Sequence, residues 1–104
     1  MTVATLGDRE IHVDEEGFLT DPTEWDEVLA AVLASNIGLE LSPAHWRVIE
    51  FARADHAATG ETPTLRRMAT EGGISTKEMF ALFPKKPAKK MSYVAGLPKP
   101  VGCV

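Results

Sequence analysis

Prolines and helix-capping residues cut this chain into pieces that can only pack as short helices. Pro22, Pro43, Pro63 and Pro87 each stand where a helix can open, because the first helical residue has no intrahelical use for the N–H that proline lacks. Pro84 stands where one must stop. The apolar residues between these marks recur at helical spacing. After Asp21, with Pro22 at the first position, Trp25, Val28, Leu29, Val32 and Leu33 form a stripe that ends at Asn36 and Gly38. Ser42 as N-cap and Pro43 open a second helix carrying Trp46, Val48, Ile49, Phe51 and Ala52, which decays towards Gly60. Both tryptophans read as core anchors.

A third helix starts at Thr62-Pro63 or at Thr64, presents Leu65, Met68 and Ala69, and ends at Gly72-Gly73. Ser75-Thr76-Lys77-Glu78 is a capping box, and the helix it opens offers Met79, Leu82 and Phe83 before Pro84. A last helix fits Pro87 to Ala95, with Met91 and Val94 inward and Gly96 as its cap. Ahead of all these, Ile11-His12-Val13 alternates between turn-rich stretches and Phe18-Leu19 follows, which reads as a β-hairpin. Two or three short strands cannot stand alone and must lean on the helices. The expectation is a mainly α protein, a small orthogonal helical bundle with an N-terminal β-hairpin. It forms a single domain over residues 1–95 (hairpin 1–20, helices 22–95), with a flexible arm over 96–104.

The 104 residues suffice for one core, and 44% hydrophobic with 25% charged residues is ordinary for a soluble domain. No apolar run approaches the roughly 20 residues of a membrane span. No basic stretch leads into an apolar one at the start, so neither a signal peptide nor membrane insertion is expected. One cysteine fits a reducing compartment, and the cytoplasm is the expected location. The net charge of −4 conceals a division. Residues 1–78 hold all 15 acids and carry −9, while residues 79–104 hold five lysines and no acid, for +5. This is either a basic last helix folded on an acidic body or a positive field that activates Cys103 and draws an acidic partner or RNA. The two are compatible.

Residues 65–82 fit a helix-turn-helix, with Ala69 where the helices would cross and Gly73 at the turn. As a DNA reader it would offer Ser75, Thr76, Lys77, Glu78 and Ala81, a single cation beside an acid, so direct nucleic-acid binding is not expected. His12, His45 and His56 lie on different elements without metal-ligand spacing. No phosphate loop, metal motif or nucleophilic triad is present, and no cofactor is expected. What remains is Cys103 in Gly96-Leu97-Pro98-Lys99-Pro100-Val101-Gly102-Cys103-Val104. Pro98 and Pro100 stiffen this arm, and Gly102 leaves the sulfur unencumbered. A stiff, slim arm loses less entropy on entering a cleft than a floppy one.

Several stretches together resemble the DsrC/TusE family of sulfur-relay proteins. They are Val13-Asp14-Glu15-Glu16-Gly17-Phe18-Leu19, Leu41-Ser42-Pro43-Ala44-His45-Trp46, Leu82-Phe83-Pro84, Pro87-Ala88-Lys89 and, most specifically, the tail from Ala95 to Val104. The resemblance implies a small helical bundle with a hairpin, a helix-turn-helix-like pair and a mobile C-terminal arm. It also implies that the penultimate cysteine, here Cys103, accepts sulfur as a persulfide. Members serving dissimilatory sulfite reductase carry a second arm cysteine at the position that is Ser92 here. TusE-type members, which relay sulfur for tRNA 2-thiouridine synthesis, lack it. The short Glu71-Gly72-Gly73-Ile74-Ser75 stretch also departs from the longer, more basic connection of many members.

The expected function is therefore a single-thiol sulfur carrier, more a sulfurtransferase-like relay than a turnover enzyme on its own. Its partners would be an upstream sulfur-donor protein and a downstream acceptor, a tRNA thiolase or a sulfite reductase. Lys89, Lys90 and Lys99 are the candidate docking residues. Two alternatives stay open: a DsrC-type substrate protein of sulfite reductase, if Ser92 replaces a native cysteine, and a helix-turn-helix DNA-binding regulator.

Overall fold

In the computed structural model, residues 2–6 and 9–98 are described. Strands β1 (Thr2–Leu6) and β2 (Arg9–Val13) pair antiparallel, with Thr2 opposite Val13 and Leu6 opposite Arg9. Val13 bridges onward to Leu19. Five helices follow: α1 (Glu27–Asn36), α2 (Pro43–Thr59), α3 (Leu65–Thr70), α4 (Thr76–Leu82) and α5 (Pro87–Val94). The architecture is the mainly α bundle with an N-terminal hairpin that the sequence predicts.

The caps explain the boundaries. The Thr64 hydroxyl accepts from the Arg67 N–H and the Ser75 hydroxyl from the Glu78 N–H, each satisfying a donor of a first turn. Only this half of the Ser75 box forms, since the Glu78 carboxylate turns instead to Arg47 on α2 at 2.8 Å. At α2 the Ser42 N–H donates to His45 Nδ1 at 3.0 Å. The opposite ring nitrogen, Nε2, therefore carries the proton and donates to the Leu82 carbonyl at 2.7 Å. One histidine thus caps α2, ties it to α4 and stands edge-on to Phe83.

Two apolar clusters hold the molecule. The larger joins all five helices through residues such as Ala30, Val48, Met68, Met79 and Met91. The smaller seats Ile11, Val13 and Leu19 of the hairpin on Leu29 and Leu33 of α1. Trp25 and Tyr93 pack against both. Between α2 and α3, Arg67 grips the buried Asp55 carboxylate with two hydrogen bonds of 2.7 and 2.8 Å.

Three expectations need correction. Pro22 opens a 3-10 turn over Pro22–Glu24, and α1 begins only at Glu27, where the Asp26 carboxylate accepts from the Leu29 N–H. Asp21 closes the earlier turn locally by accepting from Thr23, which leaves Trp25 free to turn inward. The buried face of α1 is Leu29, Ala30, Leu33 and Ala34, whereas Val28 is 68% exposed and Val32 half-buried. Ala69 is exposed and does not mark the crossing. The close approach is at Gly72, where a Cβ would lie 2.8 Å from the Met68 carbonyl and 3.0 Å from the Phe51 ring.

Candidate functional site

The end of α5 launches the arm. Gly96, in a left-handed conformation (φ +69°), lets the chain reverse. The Leu97 N–H then reaches the Ser92 carbonyl (3.0 Å) and the Gly96 N–H the Tyr93 carbonyl (3.3 Å), the paired bonds of a Schellman motif. Leu97, beyond the glycine, is 1% exposed. Its burial is worth about 1.5–3 kcal/mol, enough to fix the arm's origin.

Side chains from three other places hold the same stretch by its carbonyls. Trp25 Nε1 donates to Val94 O (2.9 Å), Arg53 Nη1 to Ala95 O (2.7 Å) and Thr62 Oγ1 to Pro98 O (2.7 Å). The Arg53 guanidinium also stacks 4.1 Å above the Trp25 ring. Burial lowers its pKa from the ordinary value, but an arginine keeps its charge there. Trp25 lies so close to Gly96 that a Cβ there would stand 2.4 Å from Trp25 Cδ1.

The arm was expected to run free from Gly96. In the structure Gly96 and Leu97 belong to the body, and Pro98, exposed itself, is tied through its carbonyl to Thr62. Lys99, Pro100, Gly102 and Cys103 lie outside the described residues. From Pro98 to Cys103 is five residues, a reach of at most about 17–18 Å. Ser92, the position that the sequence resemblance singles out, is fully buried, its hydroxyl donating to Ala88 O at 2.7 Å.

Lys89 and Lys90 are half-buried on α5, where Lys90 Nζ donates to the Pro84 carbonyl. Among the described residues no group of acids and histidines could hold a metal ion, and no helix is long and apolar enough to cross a membrane. Among the described residues, the arrangement gives the root of the C-terminal segment a defined place on the body.

Sequence reading missed Arg53 and Thr62 and gave Trp25 only a core role. These residues meet the arm across 42, 36 and 69 positions of chain, and neither periodicity nor spacing encodes such contacts.

Comparison with known proteins agrees with this arrangement. The family described as DsrC like protein matches residues 5–104. The Sulfurtransferase TusE of Escherichia coli (strain K12) is 41% identical over 103 aligned residues, covering 92% of this chain and 94% of the relative. Among solved structures, the Allochromatium vinosum DsrC superposes with a TM-score of 0.81 at 34% identity, over 98% of this chain and 97% of that one. The crystal structure of dissimilatory sulfite reductase I (DsrI) does so at 0.83 and 32%, over 99% and 100%. With its motifs, its fold and its tail all accounted for, this chain belongs to the family of DsrC like proteins.

Proposed function

We propose that this protein is a sulfur carrier that loads a persulfide onto Cys103 and delivers it to an acceptor enzyme. The observation that carries this is the latched root of the arm. The chain's one cysteine sits five residues beyond a segment held to the body by three side chains and a Schellman motif. The relatives named as sulfurtransferases support the same reading. In the loading step the Cys103 thiolate attacks the outer sulfur of a donor persulfide. The donor's S–S bond breaks, its thiolate leaves, and Cys103 holds the sulfur as its own persulfide. No oxidant is consumed, and the reverse logic passes the sulfur on.

Position 92 favours the TusE-like role, with a tRNA-thiolating acceptor, over service to a sulfite reductase. Chemistry that pairs two thiols of the arm needs a cysteine there, and Ser92 is buried with its hydroxyl bonded. The DNA-regulator reading has less support, because the exposed face of α4 offers one cation, Lys77, beside Phe80 and Ala81. Mass spectrometry after incubation with a persulfide-bearing donor protein tests the proposal. One sulfur is expected on the peptide containing Cys103 and none on a Cys103→Ser variant; equal loading of the variant would refute it.

A further inference from the structure

A cleft of about 420 Å³ opens between the start of α5 and the corner of the hairpin. Its floor is apolar, made by Phe18, Ile37 and Tyr93, with Phe18 and Tyr93 edge-to-face at 5.9 Å. Its rim carries Lys86, Lys89 and Lys90, with Glu16 also lining it. Lys86 and Lys89 make no ion pair with any described residue. The rim gathers three of the five lysines that make residues 79–104 basic in a chain of net charge −4.

The backbone supports a role for those side chains. Every left-handed residue among the described ones is a glycine except two, Lys85 (φ 60°) and Lys86 (φ 46°). Lys86 also precedes Pro87, a position from which helical backbone is disfavoured. Glycine would relieve the strain at either site, yet lysine occupies both, one of them on the cleft rim. Strain of this kind marks places where the side chain matters more than the local conformation.

We propose that the cleft docks an acidic segment of a partner protein, with an apolar side chain of that segment seated on the Phe18–Ile37–Tyr93 floor. Charge complementarity selects the acid and the floor selects the anchor. Glu16 on the lining argues against a nucleic acid. A run of phosphates would be repelled by the Glu16 carboxylate. Lys89 and Lys90 of the rim stand on α5, the helix whose C-terminal end leads into the root of the arm. This use of the cleft rests on the carrier reading above.

The test is a titration followed by amide NMR shifts and by fluorescence anisotropy. The probe is a labelled ten-residue peptide of aspartate and glutamate with a central Leu-Phe pair. Shifts are expected at Phe18, Ile37, Lys86, Lys89 and Tyr93. Affinity should fall at least about tenfold in Lys86→Glu/Lys89→Glu. Lys86→Gly, which suits the left-handed backbone, should weaken binding without lowering the melting temperature. Equal binding by native and charge-reversed protein would overturn the proposal. So would equal binding of an all-acidic peptide, or tighter binding of an oligonucleotide of the same charge. Loading of Cys103 by inorganic polysulfide, measured on the same samples, separates the two readings. Probe binding in the cleft without loading keeps the docking site and refutes the carrier.

Discussion

Replacing Gly96 by alanine sets the latch against the body, and the structure allows the cost to be worked out. The added Cβ would stand 2.4 Å from Trp25 Cδ1, 2.8 Å from Cγ and 2.9 Å from Cβ, so the ring or the chain must move. Overpacking of this kind costs about 1–3 kcal/mol. The left-handed φ of +69° adds about 1–2 kcal/mol for a residue with a Cβ. The stiffer unfolded chain returns about 0.4–1 kcal/mol. The net expectation is a loss of about 1–4.6 kcal/mol, centred near 3. At roughly 4–8 °C per kcal/mol, a 3 kcal/mol loss lowers the melting temperature by about 12 °C or more. Urea unfolding of a double-mutant cycle assigns the cause. In a Trp25→Ala background most of the steric share disappears, so Gly96→Ala should cost at least about 1 kcal/mol less there. Additivity within about 0.5 kcal/mol would refute the claim that Trp25 is what the arm's root leans on.

Three further outcomes are expected. Thr62→Val removes the donor to the Pro98 carbonyl. It should cost only about 0.5–1.5 kcal/mol while slowing sulfur delivery to a protein acceptor more than loading by inorganic polysulfide, as single-turnover mass spectrometry would show. The Arg67 guanidinium holds the Asp55 carboxyl below its ordinary value. That contribution is fully present above the unfolded value of about 3.9 and is lost as pH falls through the folded one, so Asp55→Asn should flatten the acid limb of a stability–pH curve. Ser92→Cys places a thiol where the native side chain is fully buried and loses one hydrogen bond, at about 1 kcal/mol. In Ellman titrations the new thiol should react far more slowly than Cys103; equal rates would show that α5 opens.

Much of this fold is legible because its signals are local. Thr64 and Ser75 announce helix starts through side chains that serve donors three residues on, Ser42 through a backbone N–H that the His45 ring accepts, and Gly96 announces an end through a φ that other residues resist. Where a local signal competes with a neighbour, reading fails. Pro22 looks like a helix start, but Asp21 spends that turn on Thr23 and the helix waits for Asp26. That delay rotates Val28 outward. The site divides in the same way. The tail sequence singles out Cys103, whereas the Trp25, Arg53 and Thr62 bonds to its root depend on how distant segments fold together.

The measurement that bears most directly on the central claim follows one heavy sulfur atom through a single turnover. A donor persulfide labelled with sulfur-34 is mixed with the protein and an acceptor that thiolates tRNA, and each species is quenched and weighed by mass spectrometry. The label should appear on the peptide containing Cys103 and then leave it at the rate at which thiolated product forms. If the label reaches product equally fast with Cys103→Ser, the thiol at the end of the arm is not the carrier.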